Sequence, residues 1–542
     1  MDILVAATLA ALEVCAFKAV TIRKQDGYST AWTIWACFVA HYALFKWYRI
    51  FVYPKYHSPL RHLPGPKDNH PFFGQAINLF RAETPTSLYL QWMREHPTAP
   101  LIRYLSFANR EILVVNSLQS HKDLLQSHCY SFRKPASLRR ILKAIAGDGI
   151  FMLEGQRHQA HRKILNTYFS RGKLHKLGPT FQHMAKEVVH SLERLIPSQD
   201  HNQNVTLDCI DLFSRATLDI IAVTTLGIEL SSLRRPEASQ LDGVGIYSTH
   251  AWTFHEAYAA IFTQDLVGRV LMWADGFLPI RWIPLEANSR FLSATAWLTQ
   301  TLIGIVRERY RNHRDVKSHD LLTSLVKESA AGGPAKRLSE DDVVGHLLQI
   351  MVAGHETSAM MLSWAVYIMA TKQNIQIAVY AEISELLRQR PSPTLTDIDK
   401  LAYLNYFVME TLRVYSPATT TCRQAEADVT LDGVWIPRGT AIDMIPSVAM
   451  LNPTIWGEDA EAVDPTRWGR LVGDQHSAYA FEAFSNGPRI CIGRGFALRE
   501  IKAILFEMVR AFQFLEVVEP FKIENPGLTL RPAGLRVLCR KR

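Results

Sequence analysis

The stretch FSNGPRICIGRGFALRE, Phe484 to Glu500, decides how the rest of this chain is read. Gly487 and Pro488 demand a turn, and Gly493 and Gly495 let backbone come close to something flat. Cys491 lies between them, just ahead of a helical stretch from Phe496 onward. A sulfur at a helix N-terminus is favoured as a thiolate, and Arg489 offers a charge-assisted partner for a carboxylate. Read alone, such a cysteine is most often a buried structural residue. The glycine pair before a helix also suggests a dinucleotide-binding turn. Against that, Leu498 stands where the third glycine belongs, and no strand with an acidic residue about 20 positions on supports it.

The chain has 542 residues, 48% hydrophobic and 20% charged, with a net charge of +9. Length alone suggests several domains, but no linker divides the bulk of the sequence. The basic residues are spread out and do not cluster with aromatics, which suits an acidic protein partner or a lipid surface and not nucleic acid. The seven cysteines include no CxxC pair, so they do not form a zinc ribbon or a thioredoxin-like motif, and they fit a reducing compartment. The sequon Asn204-Val205-Thr206 reads as silent.

Residues 1–59 read as a membrane anchor with one or two spans. Ile3 to Ile22 is long enough but carries Glu13 and Lys18; Trp32 to Phe45 is cleaner but short, with Trp47, Tyr48 and Tyr53 beside it. Lys46, Arg49, Lys55, Arg61 and Lys67 follow, which places the remainder on the cytosolic side. LRHLPGP, within residues 60–67, reads as a proline-stiffened hinge, and residues 68–542 as the catalytic domain.

That body is mainly α with a small β portion. Ser339 caps a long buried helix over Val343 to Thr371, a second helix spans Thr396 to Tyr415, and strands run Val429 to Val434 and Ile436 to Met444. The long helix contains AGHETS, Ala353 to Ser358, where Glu356 and Thr357 set an acid beside an alcohol. A mid-helix Gly and Thr cost helix propensity and ask for a reason; helix packing and a satisfied hydroxyl are the plain ones. In ETLR, Glu410 and Arg413 share a helix face and can pair. EGQRHQAHRK, Glu154 to Lys163, carries His158, His161 and Arg162; a zinc site at the two histidines has no further ligand nearby.

Together these motifs resemble the cytochrome P450 family. Phe484, Gly487, Arg489, Cys491 and Gly493 match its haem-binding signature FxxGxRxCxG at every fixed position, and the other motifs follow in family order over roughly residues 60–542. The resemblance implies the cytochrome P450 fold behind an N-terminal transmembrane anchor, heme b, and Cys491 as the iron ligand. It implies Arg162, Arg423 and Arg489 as propionate partners, with His158 where the family often has Trp. It implies catalytic roles for Thr357 and Glu356 on a distorted helix, and Arg467 of DPTRW completing the Glu410–Arg413 pair. Electrons would come from NADPH through a separate NADPH-cytochrome P450 reductase docking near Cys491.

The anchor and the WGEDAE stretch, Trp456 to Glu461, resemble membrane-bound fungal members. That implies an endoplasmic-reticulum enzyme oxidising a mid-sized secondary metabolite such as a terpenoid, polyketide or alkaloid. The pocket would be lined by residues 132–150, 205–275 and the small polar run Ala418 to Thr421. Alternative readings are a fatty-acid or sterol hydroxylase, a haem-thiolate isomerase or dehydratase that does not use O2, and a haem sensor. Retention of Glu356 and Thr357 argues against the last two.

Overall fold

The computed structural model describes residue 8 and residues 27–196, 204–234, 252–276, 278–312 and 320–542. Six helices set the site: α1 (Gly27–Trp47), α2 (Gly155–Asn166), α3 (Cys209–Thr225), α4 (Glu340–Thr371), α5 (Ala402–Val414) and α6 (Arg494–Ala511). The longest, α4, starts at a reciprocal cap. The Asp342 N–H donates to Ser339 Oγ at 3.1 Å, and Asp342 accepts from the Ser339 N–H at 3.1 Å. Acidic residues in its first turn favour the helix dipole. Apolar residues then cover almost every side, so α4 runs through the main core. Gly354 lets α3 approach: a Cβ there would lie 2.7 Å from the Ile221 side chain. Thr217 of α3 donates to the His355 carbonyl at 2.9 Å, tying the two helices at that point.

The β portion sits to one side. Strands β1 (Leu101–Leu105), β2 (Glu111–Val115), β3 (Phe132–Arg133), β4 (Asn204–Asp208), β5 (Thr421–Ala425), β6 (Val429–Leu431), β7 (Val434–Ile436), β8 (Ala441–Met444), β9 (Phe512–Val517), β10 (Lys522–Ile523), β11 (Pro532–Ala533) and β12 (Arg536–Lys541) form small sheets. The largest has the order β1-β2-β8-β5-β3, with β2 and β8 parallel.

Two expected elements are corrected. The strands expected at Val429 to Val434 and Ile436 to Met444 are a tight hairpin, β6–β7, followed by a separate β8. Asp432 (φ 44°) and Gly433 (φ 76°) both take left-handed backbone, which closes a two-residue hairpin. A turn from Pro437 to Thr440 then redirects the chain into β8. The helix expected over Thr396 to Tyr415 is broken. Thr394 and Asp397 cap a single turn, Leu395–Ile398. The chain then extends at Leu401, and the Glu382 carboxylate accepts the Tyr403 and Leu404 N–H groups at 2.9 Å each, starting α5 afresh. A carboxylate supplied by another helix leaves no trace in the local periodicity. The stretch 132–150, expected to line the pocket, contains a helix, Ala136–Ala146.

At the N-terminus, the apolar stretch Ile3 to Ile22 lies outside the described residues, apart from Thr8. The second stretch lies within α1. Among the described residues, no helix is long and apolar enough to cross a membrane. The chain rests on the globule from Ile50 onward: Asn109 donates to the Ile50 carbonyl at 2.9 Å, and Arg103 to that of Pro54 at 2.6 Å. Residues 60–66 lie along β1. The Arg103 N–H donates to the Pro64 carbonyl at 2.8 Å, Leu60 is buried, and Gly65 sits where a Cβ would overlap the Arg103 carbonyl.

A buried charge network fixes the chain that leads to the cysteine loop. Arg413, fully buried, donates to both Glu410 oxygens at 2.8 and 2.9 Å. Its other N–H groups reach the carbonyls of Met450, Ala460 and Ala462 at 2.5–3.0 Å. Glu410 also accepts from the Asp464 N–H at 2.9 Å and the Trp468 indole at 3.0 Å, and Arg467 stands 3.6 Å away, bound mainly to Asp459. Removing one partner leaves the other charged and buried, at a cost of about 3–5 kcal/mol. Arg413→Met is therefore expected to lower the urea midpoint of unfolding by that equivalent. An unchanged midpoint would show that the network does not hold this part of the chain.

Candidate active site

The cysteine loop is shaped by close contacts. Gly487 has φ +69°, and a Cβ there would lie 2.1 Å from the Leu125 carbonyl oxygen, so only glycine fits. The Cys491 N–H donates to the Phe484 carbonyl at 2.8 Å, which closes the loop under the half-buried Phe484 ring. α6 begins directly after Gly493, its cap residue. The Cys491 thiol is accessible, yet burial is the largest influence on it and pushes its pKa up; the sulfur faces space enclosed by protein. Opposing burial are the Gly493 and Arg494 backbone N–H groups and the cations of Arg162 and Arg494. These donors favour the thiolate.

Beside the loop lies a cluster of buried cations. Arg489 forms an ion pair with Glu154 and donates to the Leu153 carbonyl at 3.1 Å, while its buried Nε has no partner. Lys134, 3% exposed, stands 3.6 Å from the same carboxylate, and its backbone N–H donates to it at 3.0 Å. Burial alone would raise Glu154, but Lys134, that N–H and Arg489 outweigh it and hold the carboxyl low. Burial, then repulsion from Arg423, brings Lys134 down to about 7. Arg423 is buried on β5. It donates to Thr421 Oγ1 at 3.0 Å and the Cys422 carbonyl at 2.9 Å, and makes no ion pair among the described residues. His158 is buried in α2, shares a 3.2 Å hydrogen bond with the Tyr130 hydroxyl, and is lowered to about 4 by burial and then by Arg489. It is therefore neutral at pH 7. Arg162, one turn further on, is half-buried and donates to Asn166 at 2.9 Å.

The cluster thus sets two buried arginines, Arg423 and Arg489, and the partly charged Lys134 against one carboxylate, Glu154. Such a surplus asks for an anion. Two further carboxylates on a flat group beside an accessible thiol would satisfy it, so the residues fit a haem. No sequence motif marks Lys134 or Tyr130, and Glu154 has no evident role in EGQRHQAHRK read alone. Nothing local marks them, because tertiary folding alone brings them to Arg489.

The acid–alcohol pair divides. α4 runs uninterrupted through Ala353 to Ser358, so the expected distortion is absent; Gly354 is accounted for by Ile221. Thr357 is half-buried and its hydroxyl donates to the Ala353 carbonyl at 2.6 Å, a one-turn bond that helices tolerate. Ala353 is exposed in the middle of a helix whose central turns are otherwise buried or half-buried, so this face borders open space. Glu356, 4% exposed, turns elsewhere. It accepts from Arg531 at 3.1 Å and Thr529 at 3.0 Å, and lines a polar cavity of about 280 Å³ with Asp211, His255, Tyr258 and Glu524. At the expected pocket wall, Ala418 pairs with Thr529, and Thr419 is buried against Gly527 and Leu528.

Known proteins resemble this chain over most of its length. A family model described as Cytochrome P450 matches residues 64–539. Cytochrome P450 monooxygenase sphH of Aspergillus fumigatus is 28% identical over 86% of this chain and 85% of its own length. FUM15 of Gibberella moniliformis is 27% identical over 87% and 85%, and ALT8 of Alternaria alternata is 27% identical over 86% and 87%; both are also named cytochrome P450 monooxygenases. The solved structure of the cytochrome P450DA heme domain superposes with a TM-score of 0.73, covering 89% of this chain and 98% of its own, at 21% identity, a likeness of fold. With the signature loop, the buried pair behind it and a family match over nearly the whole body, the chain belongs to the cytochrome P450 family.

Proposed function

We propose that this chain is a haem monooxygenase that inserts one atom of O2 into a mid-sized organic substrate, in fungal secondary metabolism, with Cys491 as the iron ligand. Family membership implies haem, a redox partner and a small-molecule substrate. The observation that carries the proposal is the accessible Cys491 thiol, met by N–H donors, beside a surplus of buried positive charge. Heme b is the specific group read here, and when bound it supplies oxygen activation under the electron push of its thiolate ligand. The named fungal relatives support the reaction class.

The chain's own residues do the rest. Gly493 and Arg494 hold negative charge on the Cys491 sulfur. Arg423 and Arg489, with Arg162 and the neutral His158, would hold the two propionates, and Glu154 keeps Lys134 and Arg489 aimed. Thr357 Oγ1 holds a proton at the open face of α4 by exchanging its bond to Ala353. Glu356 Oε1, fixed by Arg531 and Thr529, takes protons from the polar cavity and passes them toward Thr357. Electrons come from NADPH through NADPH-cytochrome P450 reductase, which docks on the basic side of the cysteine loop, where Arg494 is exposed. α1, with exposed Trp32, Trp35, Leu44 and Trp47, lies on lipid as part of an N-terminal anchor, with the body on the cytosolic face of the endoplasmic reticulum.

Turnover with reductase, NADPH and O2 tests the reaction class, and substrate conversion without NADPH would contradict it. Comparing metabolites of a host with and without the gene names the substrate.

Thr357→Ala is expected to retain haem while NADPH consumption uncouples from product. Full coupling would remove Thr357 from the proton route.

Arg423→Gln and Lys134→Gln each remove a charge-assisted bond of about 1.5–3 kcal/mol and are expected to weaken haem retention about 10- to 100-fold. The haem-to-protein ratio after dilution reads this, and unchanged ratios would detach the cluster from the propionates.

A further inference from the structure

Tyr130 touches two of the groups assigned to the propionates, Arg489 and His158. It lies in a single turn, Cys129–Ser131, just before β3. The Arg489 guanidinium stands over its ring, 5.2 Å from the centroid, as a cation–π contact. Its hydroxyl lies 3.2 Å from His158 Nδ1 of α2. One side chain therefore joins the cysteine loop to the helix that carries His158 and Arg162.

The His158 side chain is buried. Burial, then Arg489, Lys134 and Arg162, lower its pKa to about 4, with Glu154 pushing the other way. At neutral pH the ring is therefore uncharged. A neutral imidazole has one N–H and one lone pair, and the partner at one nitrogen decides where the proton sits. The cations around the ring draw an anion into the cluster. Only an N–H meets an anion favourably; a nitrogen lone pair would repel it. Tyr130 supplies the other half. Burial is the largest influence on its phenol and raises it above the ordinary value, so the hydroxyl keeps its proton and can donate it. A hydroxyl that donates to Nδ1 leaves the ring proton on Nε2. With the proton on Nδ1 instead, the phenol would lose its acceptor and Nε2 would turn a lone pair to the anion.

We propose that Tyr130 is a positioning residue for the haem: its hydroxyl donates to His158 Nδ1 and so holds the imidazole as the Nε2–H tautomer, a neutral donor for a propionate. This deepens the haem reading above and rests on it. The Tyr130–His158 pair then does the work of the single indole N–H that the family often has at this position. An indole carries its N–H unaided, whereas His158 carries one on the required nitrogen only while the Tyr130 hydroxyl is present.

The test uses the full-length holoprotein and two readouts other than turnover. The first is haem loss to excess apomyoglobin. Tyr130→Phe keeps the ring under Arg489 and removes only the hydroxyl. It is expected to lose haem about 2- to 10-fold faster, the equivalent of one net hydrogen bond. In a His158→Trp background, adding Tyr130→Phe should leave the rate of haem loss unchanged. The second readout is the ring-nitrogen magnetic resonance pattern of protein carrying isotope-labelled histidine, in its diamagnetic, reduced, carbon monoxide-bound form. The His158 signals are those absent from His158→Trp. Wild type should carry the proton on Nε2, and Tyr130→Phe should show a mixture of the two tautomers. The proposal is overturned by unchanged haem loss in Tyr130→Phe, or by a Tyr130→Phe effect that persists in His158→Trp. A wild-type proton on Nδ1, or a proton still wholly on Nε2 in Tyr130→Phe, overturns it equally. If the wild-type protein takes up no haem, the haem reading itself fails, and the nitrogen pattern of the haem-free protein still decides which tautomer Tyr130 holds.

Discussion

Negative charge can be kept inside a protein only where donors are fixed in advance to receive it. The Cys491 sulfur lies where burial works against its ionised form, and the Gly493 and Arg494 N–H groups at the start of α6 answer that. Those two groups are aimed only because the loop before them is rigid. Its Gly487 corner touches Leu125 too closely for any side chain, and its Cys491 N–H is pinned to Phe484. Behind the loop, Arg413 and Glu410 lock three carbonyls and one N–H of the approaching segment. The architecture around the thiol is a series of such constraints, each of which would be expensive to leave half-made.

The cation cluster applies the same rule with the opposite sign. Lys134, Arg423 and Arg489 are buried with too little negative charge, and Glu154 holds the arrangement open for more. The oxygen-side helix shows how the surroundings redirect a motif. Glu356 and Thr357 are adjacent in sequence, but the step of about 100° between successive helical residues sends the acid to Arg531 at a polar cavity and leaves the alcohol on the open face of α4. The two side chains share no hydrogen bond, so the relay we propose between them has to cross the helix surface.

Much of this was legible in the sequence because it is local. The turn before Cys491, the capped start of α4 and the Glu410–Arg413 spacing depend on residues a few positions apart. What was not legible depends on distant partners. Glu382 restarts a helix twenty residues downstream, Ile221 explains Gly354, and Lys134 reaches Glu154 only through the folded chain. The hairpin at Asp432–Gly433 is the exception: its turn residues were local, and the longer alternation on either side hid them.

The claim on which everything else depends is that Cys491 binds the haem iron as a thiolate. The reduced, carbon monoxide-bound absorption spectrum tests it most directly. The wild-type protein should show the red-shifted Soret band of thiolate ligation, and Cys491→Ala should lose it. A Soret band that stays red-shifted in Cys491→Ala would contradict the assignment.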